Sequence, residues 1–150
     1  MATTLNMDPY SGLLTSPQTL VGPDKGYGGK LVGFTAVGTF AGQGATATWS
    51  AFKIPASYIL LFGVIAVDTT TGSTTVAVGV AGDTARYKAA AAMTTINTPI
   101  LFSSNIAATS PLQVDPPVPM GADTVVLVTL AAATLPSSGT LQITAVCMAT

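Results

Sequence analysis

Residues 54–87 read IPASYILLFGVIAVDTTTGSTTVAVGVAGDTARY, and this stretch decides the fold class. Two apolar runs, Ile59 to Val67 and Thr74 to Val80, flank a polar tip that begins at Asp68 and ends at Ser73. Both runs are rich in β-branched residues, which suit the pleated surface of a strand, and both have a strand's length. A tip of Asp, Thr, Gly and Ser between two such runs predicts an antiparallel hairpin. We therefore expect this hairpin to form the centre of the fold.

Turn signals divide the rest of the domain into further strands. Gly33 and Gly38 interrupt the first of them and predict bulges or a close backbone approach. Residues 81–93 are ambiguous, because their alanines favour a short helix whereas an irregular loop anchored by Tyr87 fits equally well. Residues 107–121 are rich in proline and predict a crossing loop. The predicted strands number six to eight and argue for an all-β fold, an antiparallel β-sandwich or small barrel; they are Leu31–Phe40, Ala45–Ile54, Tyr58–Val67, Thr74–Val80, Thr98–Phe102, Asp123–Ala132 and Thr140–Met148.

The first thirty residues differ from the β domain of residues 31–150. They hold three prolines and five glycines and show neither strand nor helix periodicity, while their apolar residues come singly or in pairs. This pattern predicts an extended N-terminal arm that lies along a partner, although a disordered tail fits the sequence nearly as well. The candidate partner contacts are the apolar side chains of the arm: Leu5, Tyr10, Leu13, Leu14, Leu20 and Tyr27.

Charge is scarce throughout the chain. Only 7% of the 150 residues are charged, against roughly 25% in an ordinary soluble domain, and the net charge is −1. Such a chain has no electrostatic footprint for nucleic acid or for an anionic membrane. The folded surface must instead consist of Thr, Ser, Ala and exposed apolar groups, which is typical of a surface covered by neighbours in an assembly. No basic, apolar leader begins the sequence, so we expect no signal peptide.

No catalytic, metal or cofactor site is predicted. The chain has no His and no Glu, so a nucleophile cannot be paired with an imidazole, and Cys147 shares its strand phase with core residues. Asp68-Thr69 resembles the start of an aspartic protease loop, but Gly72 stands at the wrong spacing. Gly29-Lys30 lacks the spacing of a phosphate-binding loop, and the six aspartates are dispersed. Trp49, mid-strand among alanines, is better explained by packing than by sugar binding.

The middle and end of the chain resemble small β-domain structural proteins of tailed bacteriophages. The likeness is carried by a strand that ends in Pro55-Ala56, by VGVAGDTARYKA at residues 78–89, and by ADTVVLVTL and PSSGTLQITAVCM at residues 122–130 and 136–148. Such proteins are similar in role to capsid decoration (cement) proteins and head fibres.

The resemblance implies a virion component assembled in the host cytoplasm, a homo-oligomer (dimer or trimer) that bridges major capsid protein subunits, with no cofactor, no nucleic acid and no membrane. Another phage component, such as a tail tube, neck or head-fibre base, remains an alternative. An alternative from another class of protein is a ligand- or sugar-binding β module, which would expose aromatic side chains on one sheet face.

Overall fold

The computed structural model describes the backbone of residues 3–6 and 18–19, and describes residues 30–103 and 119–149 in full. Regular structure in these residues is entirely β. Since they include no helix, they supply no helical membrane span. In chain order the strands are β1 (Thr3–Asn6), β2 (Gln18–Thr19), β3 (Leu31–Thr39), β4 (Thr46–Ile54), β5 (Tyr58–Val67), β6 (Thr75–Val80), β7 (Asp83–Ala92), β8 (Ile100–Phe102), β9 (Thr124–Ala131) and β10 (Thr140–Ala149).

The eight strands β3 to β10 form two four-stranded antiparallel sheets, and a short strand of the arm adds to one edge of each. Sheet 1 has the order β1-β4-β9-β6-β7, and sheet 2 has the order β2-β3-β10-β5-β8. Consecutive strands from β3 to β10 lie in alternate sheets except for β6 and β7, which are neighbours in sheet 1. β9 lies between β4 and β6, and β10 lies between β3 and β5. This is the strand order of an eight-stranded jelly roll, so the predicted all-β class is confirmed, and the architecture is a sandwich rather than a barrel.

The predicted central hairpin is wrong, because β5 and β6 belong to different sheets. The polar tip between them is a corner that passes from one sheet to the other. Thr71 is buried there: its hydroxyl donates to the Thr74 carbonyl at 2.8 Å, and its N–H donates to the Met93 carbonyl at 3.0 Å. Gly72, at φ 61°, supplies the left-handed residue that the corner needs. The tip is therefore tied into the domain.

Residues 81–93 form neither a helix nor a loop, since β7 runs from Asp83 to Ala92 and pairs with β6. The register of this pair shifts twice. At one of these irregularities the Lys88 amine bonds to backbone carbonyls. Its Nζ donates to the Val76 carbonyl at 2.7 Å and to the Ala89 carbonyl at 3.2 Å, while only 8% of the residue is exposed. Burial lowers the pKa of Lys88 below its ordinary 10.5. Tertiary pairing thus overrides the helix propensity of the alanines.

The core lies between the two sheets, and side chains from both phases of β4 are buried in it. Trp49 and Phe52, which a regular strand would place on opposite faces, are both buried because the β4–β9 register shifts between Ser50 and Phe52. Phe52 then stacks on Phe34 of the facing sheet, with ring centroids 5.6 Å apart. Trp49 is 1% exposed, so its predicted packing role is confirmed.

The first long strand, β3, is more regular than its glycines predicted. It pairs with β10 over nine consecutive positions without a register shift, and a side chain at Gly33 would meet no atom within 4 Å. The expected bulge or close approach at Gly33 is therefore absent. Most of the proline-rich segment 107–121 lies outside the described residues.

Candidate interaction surface

The two described pieces of the arm lie on the edges of the chain's own sandwich. β1 runs parallel to β4, with Leu5 opposite Trp49 in the register. β2 runs antiparallel to β3, with Gln18 opposite Gly33. Because β3 and β4 are edge strands of different sheets, the arm contacts both sheets of the domain.

Of the six arm residues predicted to contact a partner, the structure brings only one into a described element. Leu5 lies within β1 at the edge of sheet 1. The other five lie outside the described residues: Tyr10, Leu13, Leu14, Leu20 and Tyr27.

The outer face of sheet 2 carries an apolar surface that the sequence prediction missed. Four of the large apolar side chains exposed in the domain belong to strands of this sheet and point away from the core. Val64 and Val146 lie half-buried between them. We call this surface the apolar face; its exposed members are Leu31 (44% exposed), Val37 (38%), Phe62 (45%) and Leu101 (61%).

The apolar face also lacks charge. None of β3, β5, β8 and β10 contains Asp, Glu, Lys or Arg. The polar groups there are neutral: the hydroxyls of Thr35 and Thr144 lie 3.1 Å apart and form a hydrogen bond across β3 and β10. Sheet 1 differs, because its outer face carries Thr and Ser side chains beside the exposed Val125 and ends in an ion pair between Lys53 and Asp123 at 2.6 Å. The two outer faces are therefore chemically distinct, and the apolar one is suited to burial against another protein.

The apolar run of β5 explains why this face was missed. A strand whose side chains are apolar on both phases is expected to be covered on both faces. In the structure Ile65 and Val67 face the core, whereas Phe62 stands 45% exposed on the outer side. The sequence signal that could have found the face is the absence of charge from β3, β5 and β10 together, since a water-facing side of a sheet ordinarily carries charged residues.

Two of the described aspartates, Asp68 and Asp123, bind neighbouring segments of the fold. The Asp68 carboxylate accepts hydrogen bonds from the Thr140 N–H at 2.6 Å and from the Thr140 hydroxyl at 2.7 Å. These bonds fasten the start of β10 and lower the pKa of Asp68 below 3.8. Asp123 accepts from Lys53 and from the Ala56 N–H at 3.0 Å, and both bonds lower its pKa. Within residues 30–103 and 119–149, no three His, Cys, Asp or Glu side chains form a metal-binding group.

The remaining candidate groups are buried. Burial raises the pKa of the Cys147 thiol to about 12, so it stays protonated and unreactive at neutral pH. Trp49, the aromatic residue considered for sugar binding, faces the core and packs 6.1 Å from the ring of Phe40. Trp49 is therefore inaccessible to a carbohydrate, and the exposed aromatic side chain on a sheet face of the described domain is Phe62.

Neither the protein-family models nor the curated proteins contain a match to this chain. Two of the solved structures that contain chains of similar fold are phage capsids. One belongs to the capsid asymmetric unit of cyanophage Pam1: it is 21% identical, with a TM-score of 0.64, over 87% of this chain and 93% of that one. The other belongs to the capsid of Ralstonia phage GP4: it is 14% identical, with a TM-score of 0.66, over 99% of both chains. The chain therefore shares its whole fold with small β-domain chains of phage capsids.

Proposed function

We propose that this chain is a non-enzymatic virion protein, a capsid decoration (cement) protein that binds and bridges major capsid subunits and stabilises the head. The observation that carries the proposal is the apolar face, a charge-free surface on a fold shared with chains of two phage capsids. Binding of a partner over a surface of this kind is favourable, because it removes apolar area from water.

The apolar face would supply the binding energy. Standard protein interfaces bury roughly 1,600 Å² in total, and burial of apolar area contributes about 25 cal/mol per Å² before the costs of association. Because β3, β5, β8 and β10 contain no charged residue, attachment through them has no ion pairs to screen. We therefore expect attachment to capsids to persist at high salt.

The arm would supply the bridge. Its described strands lie at one side of the sandwich, on β3 and β4, and eleven residues separate Asn6 from Gln18. An extended chain spans up to about 3.3–3.6 Å per residue, so a segment of this length can reach a neighbouring capsid subunit. In the proposed role, the arm residues that enter pockets on that neighbour are Tyr10, Leu13, Leu14, Leu20 and Tyr27, whereas Leu5 lies in β1 at the edge of the chain's own sheet 1.

Deletion of residues 1–28 tests the bridge. Since the described core lies within residues 30–103 and 119–149, we expect the shortened domain to remain folded by circular dichroism but to bind undecorated heads more weakly in a co-sedimentation assay. A double substitution, Leu13→Ser with Leu14→Ser, should weaken binding as well, because it removes two of the proposed contacts while it leaves the residues of β1 and β2 intact. Undiminished decoration by the deletion variant would contradict the role of the arm, and binding to purified tails rather than heads would favour the tail or neck alternative.

A further inference from the structure

The four edges of the two sheets are protected to very different degrees. Exposed edge strands pair readily with other chains, and natural proteins block them with short strands, bulges, charges or a covering segment. The β7 edge has two register shifts and three charged residues, and the β8 edge is only three residues long. The β4 edge is covered by β1, has a register shift and carries Lys53.

The β3 edge has almost none of these protections. β3 is nine residues long, has no charged residue and pairs with β10 without a shift. Among the described residues, only Gln18 and Thr19 pair with its other side, opposite Gly33 and Val32. At the far end, the Gln43 side-chain amide donates to the Thr39 carbonyl at 3.1 Å. Between these two contacts lies a stretch, Phe34 to Gly38, whose outer edge no described residue covers.

The hydrogen bonds at the ends of β3 show which backbone groups point to that edge. The Phe40 N–H donates to the Gly139 carbonyl at 2.7 Å, and the Ala149 N–H donates to the Lys30 carbonyl at 2.9 Å. Even-numbered residues therefore bond to β10, and the unbroken register preserves this alternation along the strand. The N–H and C=O groups of Thr35, Val37 and Thr39 consequently point to the free edge, while their side chains lie on the exposed outer side.

We propose that this edge pairs with the β3 edge of a second copy of the chain. The two strands would run antiparallel about a two-fold axis at Val37, so that Val37 faces its own counterpart and Thr35 faces Thr39 of the other copy. The Val37 groups then bond to each other, and the Thr39 N–H donates to the Thr35 carbonyl of the other copy. The Thr39 carbonyl, which already accepts a bond from Gln43, accepts the Thr35 N–H on its second lone pair. The stretch fits a second copy because it carries no charge to repel itself, and because opposed Thr side chains stabilise antiparallel pairs.

The pairing would join the two apolar faces. A two-fold axis perpendicular to the sheet keeps the outer sides of both sheets on the same side of the dimer. Val37, at 38% exposure, belongs to the apolar face and would lie at its centre in the dimer. The dimer would therefore present one continuous surface of twice the area, built from two sandwiches.

Charge substitution on the purified full-length chain tests the proposal without any capsid, so its failure is distinguishable from failure of the capsid role. We expect the wild-type chain to sediment as a dimer at micromolar concentration, and the Val37→Lys variant to sediment as a monomer because two like charges would meet at the axis. The matched control is Val125→Lys, since Val125 is exposed to a similar degree (41%) on sheet 1. It should remain a dimer.

Cross-linking tests the register. Opposed Cα atoms in a hydrogen-bonded antiparallel pair lie about 5.5 Å apart, within the range that a disulfide spans. The Val37→Cys variant should form a disulfide-linked dimer on mild oxidation. The Val125→Cys variant should not, and the native Cys147 is 0% exposed and cannot contribute. A wild-type monomer or trimer, an equal effect of both lysine substitutions, or no cross-link through position 37 would each overturn the proposal. So would dimerisation only after deletion of residues 1–28, since the chain's own arm would then be the occupant of the edge.

Discussion

Leu101 offers the sharpest test of the apolar face. It lies on β8 and is 61% exposed, the largest value among the big apolar side chains of the described domain. Full burial of a Leu side chain is worth about 1.5–3 kcal/mol, so burial of the exposed 61% against a capsid subunit contributes about 0.9–1.8 kcal/mol. Since about 1.4 kcal/mol is a factor of ten in affinity, Leu101→Ser should weaken attachment of each protomer about 5- to 20-fold.

The assay is co-sedimentation of labelled protein with undecorated heads, at a series of protein concentrations. The control is Val125→Ser, which removes an apolar side chain of 41% exposure from sheet 1 and should leave the dissociation constant within about twofold. Both variants should remain folded in urea titrations, so a loss of binding cannot be ascribed to unfolding. Equal dissociation constants for Leu101→Ser and wild type would refute the assignment of the apolar face as the docking surface.

Three further predictions concern the stability of the domain. Gly63→Ala should lower the unfolding free energy by about 1–3 kcal/mol in urea, because a methyl group there overlaps the buried Phe102 ring, whereas Gly33→Ala meets no atom within 4 Å and should cost far less. Burial lowers the pKa of Lys88, so between that lowered pKa and 10.5 the unfolded chain binds more protons than the folded one. The unfolding free energy should therefore rise with pH in this range, as measured by urea unfolding up to pH 10. The Lys88→Met variant should lose this rise, whereas Lys30→Met should keep it. Because the bonds from Thr140 lower the pKa of Asp68, they contribute to the unfolding free energy above pH 3.8, and this contribution is lost as the pH falls through the lowered pKa of the folded state. Asp68→Asn should flatten this dependence of stability on acid pH, and an unchanged pH profile of the variant would contradict the prediction.

The strands were predictable because their signals are local. Alternation, β-branched residues and turn residues placed β5 at Tyr58 to Val67, where the structure has it, and placed β4 and β10 within one residue at each end. The connections were not predictable in the same way. A polar tip between two apolar runs is common to a hairpin and to a corner between sheets, and only the long-range pairing of β5 with β10 decides between them.

The candidate surface was predictable only in its chemistry. The shortage of charge predicts a surface meant to be covered, and the charge-free outer side of sheet 2 agrees with it. Its location depends on which phase of each strand faces the core. Where both phases of a strand are apolar, as around Phe62, the sequence does not indicate which side chains face the core. At Trp49 and Phe52, a bulge brings both phases inward, which strict alternation excludes.

The position of β10 has a consequence for how the chain reaches its folded state. This last described strand is hydrogen-bonded to β3 on one side and to β5 on the other, so it lies inside sheet 2. A nascent polypeptide that lacks it leaves β3 and β5 without their shared neighbour, and sheet 2 cannot close until residues 140–149 leave the ribosome. Sheet 2 should therefore form late, at the slow rates typical of distant strand pairing. Copies of the protein would then become available for assembly only as finished units.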